Sequence, residues 1–157
     1  MSWSSPEIRP ARAEDATAVT ECVAAAYHHY IARIGKPPGP MLDDYAEIIR
    51  QHTVFVLTDE EKVVGVLVLI KQEQSILLDN VAVHPDYQGR GFGRKLLAFA
   101  EEEARRWEFA AITLYTNEQM TENLELYKKL GYVETERKTE RGYRRVYMHK
   151  SLAGKAG

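Results

Sequence analysis

The stretch Leu77–Ala104, LLDNVAVHPDYQGRGFGRKLLAFAEEEA, decides the fold of this chain. It begins with an apolar, β-branched run that is typical of a buried strand. Pro85 ends that strand, because proline has no N–H to give to a ladder. Three glycines follow at alternate positions, Gly89, Gly91 and Gly93. Behind them, leucines and alanines recur at helical spacing, with charged residues on the opposite face. The stretch therefore predicts a strand, a glycine-rich turn and a helix in direct succession.

The glycine-rich turn lies where a helix begins, and that place suits an anion. The first turn of a helix carries unpaired N–H groups and the positive end of the helix dipole. Glycine lets a ligand approach the backbone closely, and Arg90, Arg94 and Lys95 add positive charge at the same end. We therefore predict a cradle for a phosphate or pyrophosphate. The spacing excludes G-x-G-x-x-G and the P-loop, because the last glycine of either motif would fall on Arg94.

Length and composition favour one globular domain over residues 1–157, with residues 1–5 and 152–157 expected to be flexible. The chain is 45% hydrophobic and 28% charged, and its net charge of −2 predicts no basic surface for nucleic acid. The longest apolar run, Val63 to Ile70, is too short to span a bilayer as a helix. No apolar signal segment begins the chain. These features predict a cytoplasmic protein, a monomer or homodimer, with no nucleic-acid or membrane partner.

Cysteine and histidine usage bears on metals and disulfides. Cys22 is the only cysteine, which excludes an internal disulfide and fits a reducing compartment. The five histidines have no metal-ligand spacing. We therefore predict no metal site.

Helical and strand patterns alternate along the rest of the chain. In order, they predict a strand at 7–12, a helix at 13–34, a helix at 43–50 capped by Asp43, strands at 53–58, 63–71 and 75–83, a helix at 90–107, a strand at 111–116, a helix at 121–130 and strands at 132–138 and 144–150. This order predicts an α/β fold of the α+β type, a mixed sheet with helices on both faces.

Two motifs resemble the GNAT superfamily of N-acetyltransferases. The run Gln88–Gly93 has the form Q-x-x-G-x-G of that family's acetyl-CoA-binding motif and directly follows a strand. The run from Asn123 to Tyr132 is similar to the family helix N-x-x-A-x-x-L-Y-x-x-L-G-[FY], except that Met120 replaces the asparagine and Asn123 the alanine. The element order also resembles the GNAT fold from end to end. The resemblance implies a central, mostly antiparallel twisted sheet with helices on both faces.

The resemblance further implies an acetyl-CoA-dependent N-acetyltransferase that moves acetyl directly from the CoA thioester to a primary amine. The residues it implies for CoA binding are Val81, Ala82, Val83, Gln88, Gly89, Arg90, Gly91, Phe92, Gly93 and Arg94. Asn117 or Asn123 is expected to replace the contacts of the missing asparagine. The Val81 amide is expected to polarise the thioester oxygen.

Two residues carry the predicted catalysis. Tyr127 falls on the position of the family motif that usually serves as general acid. Reference pKa values make full proton transfer from a phenol to a thiolate uphill by about 2 kcal/mol, so Tyr127 is interpreted as a hydrogen-bond donor unless its pKa is lowered. Leu77 stands where some members place a catalytic glutamate. Asp79, on the same strand face, is the nearest replacement as base, ahead of Glu73 and His84. The alternatives are a core aromatic for Tyr127 and a structural carboxylate for Asp79.

The resemblance places the acceptor beside the first helix pair. Tyr27, Tyr30 and Met41 are predicted to line its channel, with Asp43 and Asp44 near the mouth to attract a cation. Alternatively, the tyrosines belong to the core and the acidic pair is a solvated helix start. The acceptor stays open: a small-molecule amine (antibiotic, polyamine or amino acid) or a peptide amine. Two other functions also stay open, a non-catalytic acyl-CoA-binding or sensing module and a binder of another nucleotide.

Overall fold

Apolar and β-branched runs build a seven-stranded sheet in the computed structural model, which describes residues 6–152. The strands are β1 (Glu7–Pro10), β2 (Thr53–Asp59), β3 (Lys62–Lys71), β4 (Ser75–Val83), β5 (Ala111–Asn117), β6 (Val133–Glu140) and β7 (Tyr143–Ser151). They lie in the order β1-β2-β3-β4-β5-β7-β6. β4 and β5 are parallel, and the other neighbours are antiparallel. The predicted mostly antiparallel sheet is confirmed.

Within residues 6–152, five α-helices cover the two faces of this sheet. They are α1 (Ala16–Tyr27), α2 (Tyr30–Ile34), α3 (Tyr45–Gln51), α4 (Phe92–Arg106) and α5 (Thr121–Lys129). Strand β3 shows the two-sided burial: Leu67 and Leu69 pack with α4 and α5, whereas Val66 and Val68 pack with α1 and α3. Because both faces are covered, the central strands are apolar at successive positions rather than alternating. Helices on both faces, as predicted, are confirmed.

Two predicted helix boundaries are wrong. The helix predicted at 13–34 is divided into a short 3-10 turn, α1 and α2. His28 and His29 keep right-handed helical angles, but the Ile31 amide bonds three residues back to the His28 carbonyl (3.1 Å), which tightens the turn. The cap of α3 is Asp44, whose side chain accepts from the Glu47 amide (3.3 Å), and not Asp43.

The predicted flexible ends lie outside the described residues, with one exception. Leu152 is buried, and its amide donates to the Ala110 carbonyl (2.7 Å). Within residues 6–152, no helix has both the length and the apolar character needed to cross a membrane.

The parallel pair β4 and β5 separates part of the way along its length. Its register runs from Ser75 opposite Ala111 only as far as Leu78 opposite Leu114. Beyond that point β4 continues beside β3, and β5 beside β7. The β3–β4 register also shifts between Asn80 and Leu78, so that Asp79 is the extra residue of a β-bulge. The sheet therefore opens in its centre, beginning at Asp79.

Candidate active site

A cavity of about 500 Å³ fills the opening between β4 and β5. Leu78–Val81 of β4 and Tyr115–Asn117 of β5 form its walls, and α5 closes it with Asn123 and Tyr127. The chain between α2 and α3, the β6–β7 hairpin, Tyr27 of α1 and Met120 contribute the remaining lining. The volume is within the range of small-molecule sites.

The cavity brings together seven of the residues predicted from the sequence. They are Tyr27, Asp43, Asp79, Val81, Asn117, Asn123 and Tyr127. Tyr30 and Met41, predicted to line the acceptor channel, pack instead into the apolar cluster beneath α1 and α3. The chain after α2 lines the cavity with Leu42 and two prolines, not with Met41.

The end of β4 presents alternate backbone groups to the opening. The His84 amide donates to the Val64 carbonyl of β3 (2.9 Å), so in the antiparallel pattern the even-numbered residues bond to β3 and the odd-numbered ones face away. In agreement, the Val81 carbonyl accepts from the Tyr27 hydroxyl (3.1 Å). The Val83 carbonyl accepts from the Gln88 side chain (3.1 Å). Ala82 is buried opposite Val66 of β3. The backbone groups of Val81 and Val83 therefore face away from β3, toward the opening, and those of Ala82 do not.

The glycine-rich turn has the geometry of an anion cradle. Gly89 and Gly91 both have φ of +81°, and Gly91 is the N-cap of α4 without a side-chain hydrogen bond. A Cβ built on Gly89, Gly91 or Gly93 would meet no heavy atom within 4 Å. The first amides of α4 are thus uncovered at the positive end of its dipole. The residues present fit a phosphate group.

The side chains of the glycine-rich turn divide into packing and solvent-facing groups. Phe92 packs against the apolar core, whereas Arg90 is exposed and lies over the Tyr87 ring, 4.9 Å from its centroid. Gln88 ties the turn back to β4 through its bond to the Val83 carbonyl. Arg90, whose guanidinium lies 4.0 Å from the Asp59 carboxylate, and the exposed Arg94 add positive charge near the start of α4.

Tyr127 lies deep on the cavity wall. Its side chain is 5% exposed, and its ring meets the Tyr132 ring edge-on with centroids 5.6 Å apart. Burial is the largest cause that raises the pKa of Tyr127, and Tyr30 is the next; no hydrogen bond contributes. The hydroxyl is therefore protonated near neutral pH.

Two carboxylates share the cavity, and the pKa of each is raised. Burial raises the pKa of Asp79, while His52, a hydrogen bond from Tyr115, and Arg145 oppose the shift. Burial and then the charge of Asp79 raise the pKa of Asp43 to about 6. Since a base with a higher pKa accepts a proton from an ammonium with less penalty, both groups are better bases than an ordinary aspartate.

Asn80 anchors the cavity wall and was missed at the sequence level. Its side chain is 3% exposed. It accepts from the Tyr27 hydroxyl (2.7 Å) and donates to the Tyr45 hydroxyl (2.9 Å), which in turn donates to the Pro40 carbonyl (2.7 Å). The chain of bonds fixes α1, α3 and β4 relative to one another. Its sequence signal is a polar residue at an inward-facing position of an apolar strand.

The two asparagines on the α5 side are oriented by their neighbours. Asn117 accepts from the Gln119 amide through its side-chain oxygen (2.9 Å), a turn that ends β5. Asn123 donates only to the Met120 sulfur (3.7 Å), which is a weak partner. Both side chains therefore have polar atoms left to offer to a ligand in the cavity.

The end of the cavity formed by the segment after α2 and the β6–β7 hairpin carries cations that the sequence did not single out. They are Lys36, Arg141 and Arg145, accompanied by Tyr115 and Tyr143. The Lys36 ammonium donates to the Gly142 carbonyl (2.9 Å), and the Tyr143 hydroxyl donates to the Pro37 carbonyl (2.6 Å). These bonds join the β6–β7 hairpin to the chain after α2. No local pattern signals this contact, because it joins segments about a hundred residues apart.

Comparison with known proteins identifies a common family. A model of the acetyltransferase (GNAT) domain matches residues 50–134. The uncharacterized N-acetyltransferase YvbK of Bacillus subtilis (strain 168) is 29% identical over 100 residues, 63% of either chain. The L-amino acid N-acyltransferase MnaT of Escherichia coli (strain K12) is 41% identical over 56 residues, 36% of this chain and 33% of that one.

The fold itself has solved counterparts. The ribosomal-protein-S18-alanine N-acetyltransferase of Escherichia coli superposes with a TM-score of 0.78 at 21% identity, covering 98% of this chain and 99% of the other. At that identity the likeness concerns the fold alone. The matched part of this chain spans less than two thirds of the length of the curated relatives.

Proposed function

Since the chain belongs to the GNAT family of acetyltransferases, we propose that it transfers the acetyl group of acetyl-CoA directly to a primary amine. One observation carries the proposal. The sheet opens between β4 and β5 beside Tyr127 and Asp79, and the strand that borders the opening leads to an uncovered glycine cradle. A phosphate site and a reaction cavity are thus joined by a backbone edge.

The residues of this chain fit CoA in three places. The amides that begin α4, between Gly91 and Arg94, would hold the pyrophosphate. The backbone of Val81 and Val83 would bond the pantetheine arm as a strand does. Asn117 and Asn123 would contact its inner end. When bound, acetyl-CoA supplies the activated thioester, and the protein supplies position and electrostatics.

The groups that line the cavity then have separate roles in the reaction. The Val81 amide polarises the acetyl carbonyl. Tyr127 donates a hydrogen bond to the departing sulfur, and its raised pKa keeps that donor neutral. Asp79 takes a proton from the acceptor ammonium, directly or through one water, with Asp43 beside it. The acceptor amine attacks without a covalent enzyme intermediate.

Relatives point to different acceptors. One curated relative is named for L-amino acids, and one solved structure for an alanine of ribosomal protein S18. The first match covers about a third of this chain and the second shares only the fold. Neither match therefore identifies the acceptor of this chain.

A thiol-release assay tests the proposed activity. The protein is mixed with acetyl-CoA and a panel of primary amines, and free CoA is measured over time. We expect release that depends on the amine. Binding of acetyl-CoA without release for any amine would instead identify an acyl-CoA-binding module. Thermal stabilisation by ATP or NAD but not by acetyl-CoA would indicate another nucleotide, since a ligand at 100 times its Kd adds about 2.7 kcal/mol.

A further inference from the structure

Opposite charges line the acceptor end of the cavity without pairing with each other. Asp43 and Asp79 lie on the segment before α3 and on β4, and Lys36 and Arg141 lie on the segment after α2 and on the β6–β7 hairpin. Among residues 6–152, no ion pair within 4.0 Å joins any of these four side chains to a charged partner. Outside the cavity the neighbouring Arg144 is paired, with Glu118 at 3.3 Å.

Two of the three cations near this end of the cavity are held by contacts of their own, away from the carboxylates. Lys36 donates to the Gly142 carbonyl (2.9 Å) and lies over the Tyr143 ring, 4.1 Å from its centroid. Arg145, the third cation, bonds to Glu140 (3.1 Å) and lies over the Tyr115 ring at 4.3 Å. Asp43 and Arg141 are exposed, and Asp79 and Lys36 are half-buried. Charges of both signs that line one cavity without pairing with each other complement a ligand that carries both signs.

We propose that the acceptor is a small zwitterion, an amine that carries its own carboxylate. Its ammonium lies between Asp43 and Asp79, and its carboxylate contacts Lys36 and Arg141. This substrate class rests on the proposed function. The cavity of about 500 Å³ suits a molecule of this size.

A peptide terminus fits the same site less well. The atoms next to a peptide's amine are a neutral amide, which would leave the cations of the hairpin without an anion. A diamine would satisfy the carboxylates and be repelled by Lys36 and Arg141. Only an acceptor with both charges pairs all four side chains.

The reaction balances with the groups present. The ammonium first loses a proton to Asp79 or a water beside it. The nitrogen–acetyl bond forms as the carbon–sulfur bond breaks, and the nitrogen loses its second proton. The thiolate, held by Tyr127, takes up one proton to leave as CoA thiol. One proton in total goes to solvent.

Matched pairs of amines test the substrate class. The proteinogenic L-amino acids, β-alanine and 4-aminobutyrate are each compared with their carboxamides, and with tripeptides that begin with the same residue, in the thiol-release assay. We expect at least one acid to exceed its amide and its tripeptide in kcat/KM by roughly 10- to 100-fold, the size of one charged hydrogen bond. Amides or tripeptides that serve equally well or better would overturn the proposal. O-phosphoethanolamine tests whether a phosphate can replace the carboxylate of the acceptor. Turnover comparable to that of the best acid would overturn the carboxylate assignment. Turnover far below that of the best acid would support the assignment.

Two variants locate the anion site. Arg141→Gln should raise KM for the acid much more than KM for the amide, and so bring the acid-to-amide ratio of kcat/KM close to one. Arg144→Gln, on the same hairpin but outside the cavity, is the matched control and should keep the ratio of the wild type. An unchanged ratio in Arg141→Gln would refute the assignment.

A binding measurement separates this inference from the proposed function. The same acids and amides are titrated by calorimetry into the protein saturated with CoA. If no amine releases thiol but an acid binds and Arg141→Gln weakens it, the proposed function fails and the zwitterion site stands. If amines release thiol but acids bind no better than amides, the proposed function stands and the zwitterion site fails. If neither is seen, both fail.

Discussion

Replacing Tyr127 by phenylalanine removes one hydroxyl from the cavity wall and keeps the ring packed against Tyr132. The raised pKa means that the wild-type hydroxyl is a neutral donor throughout the working pH range. Loss of one donor aimed at developing charge typically lowers kcat by about 10²–10³-fold, or about 2.7–4 kcal/mol. Sulfur is a weaker acceptor than oxygen, so we expect the lower end, about 10²-fold.

Other properties of Tyr127→Phe should hardly change. No hydrogen bond to the hydroxyl contributes to its pKa in the folded protein, so the free energy of unfolding should change by less than about 1 kcal/mol. The Kd for acetyl-CoA should stay within about twofold, because a donor that acts only on developing charge adds little to ground-state binding. The assays are steady-state thiol release and calorimetric titration.

Tyr132→Phe is the matched control for this prediction. The Tyr132 hydroxyl is buried without a hydrogen-bond partner among residues 6–152 and does not line the cavity. Removing it should leave kcat unchanged and should not lower stability, since a sealed polar group without a partner is costly. Full activity of Tyr127→Phe, or equal losses in the two variants, would refute the role assigned to Tyr127.

Three further predictions concern the cradle and the carboxylates. Gly91→Val should abolish calorimetric binding of acetyl-CoA in a folded protein. Gly35→Val, at a similar φ of +93° but away from the glycine-rich turn, should have comparable backbone strain and still bind acetyl-CoA. Equal binding of acetyl-CoA by the two variants would show that the cradle is not at Gly91. Asp79→Asn should remove the acidic limb of the pH profile of kcat/KM, which lies above the usual pH range of an aspartate because the pKa of Asp79 is raised. Activity should recover in part at high pH, where the amine loses its proton without a base. An unchanged profile would show that Asp79 is structural. Because the folded-state pKa of Asp43, about 6, is higher than that of an unfolded chain, stability falls as pH rises from about 4 to about 6. Asp43→Asn should therefore raise Tm at about pH 8 and not at about pH 4, and a lower Tm at the higher pH would contradict this.

Local features of the fold were predictable because neighbouring residues determine them. The strand Ser75–Val83 has the bounds that its apolar pattern predicts, and the glycines begin α4 within two residues of the expected position. The cradle follows from the same local order. Tyr127 reaches the cavity because its helix follows the strand beside the opening.

The acceptor end was not predictable, because distant segments build it. β7 inserts between β5 and β6 in the sheet, and this brings Arg141 and Arg145 to the cavity. Asp44, and not Asp43, caps α3, because the Asp44 side chain accepts a hydrogen bond from the Glu47 amide. That bond leaves Asp43 to face the cavity. The approach of the hairpin has no signal in the adjacent sequence. The cap had one that the prediction overlooked, since Glu47 follows Asp44 by three residues, the spacing of a capping box.

Transfer of an isotope-labelled acetyl group tests the central claim most directly. The protein is incubated with labelled acetyl-CoA and the amine that releases thiol fastest, and mass spectrometry follows the label in amine, protein and free acetate. Direct transfer predicts that the label appears on the amine at the rate of thiol release and never on the intact protein. Label that accumulates on the protein, or that is released as acetate while the amine stays unlabelled, would contradict the account.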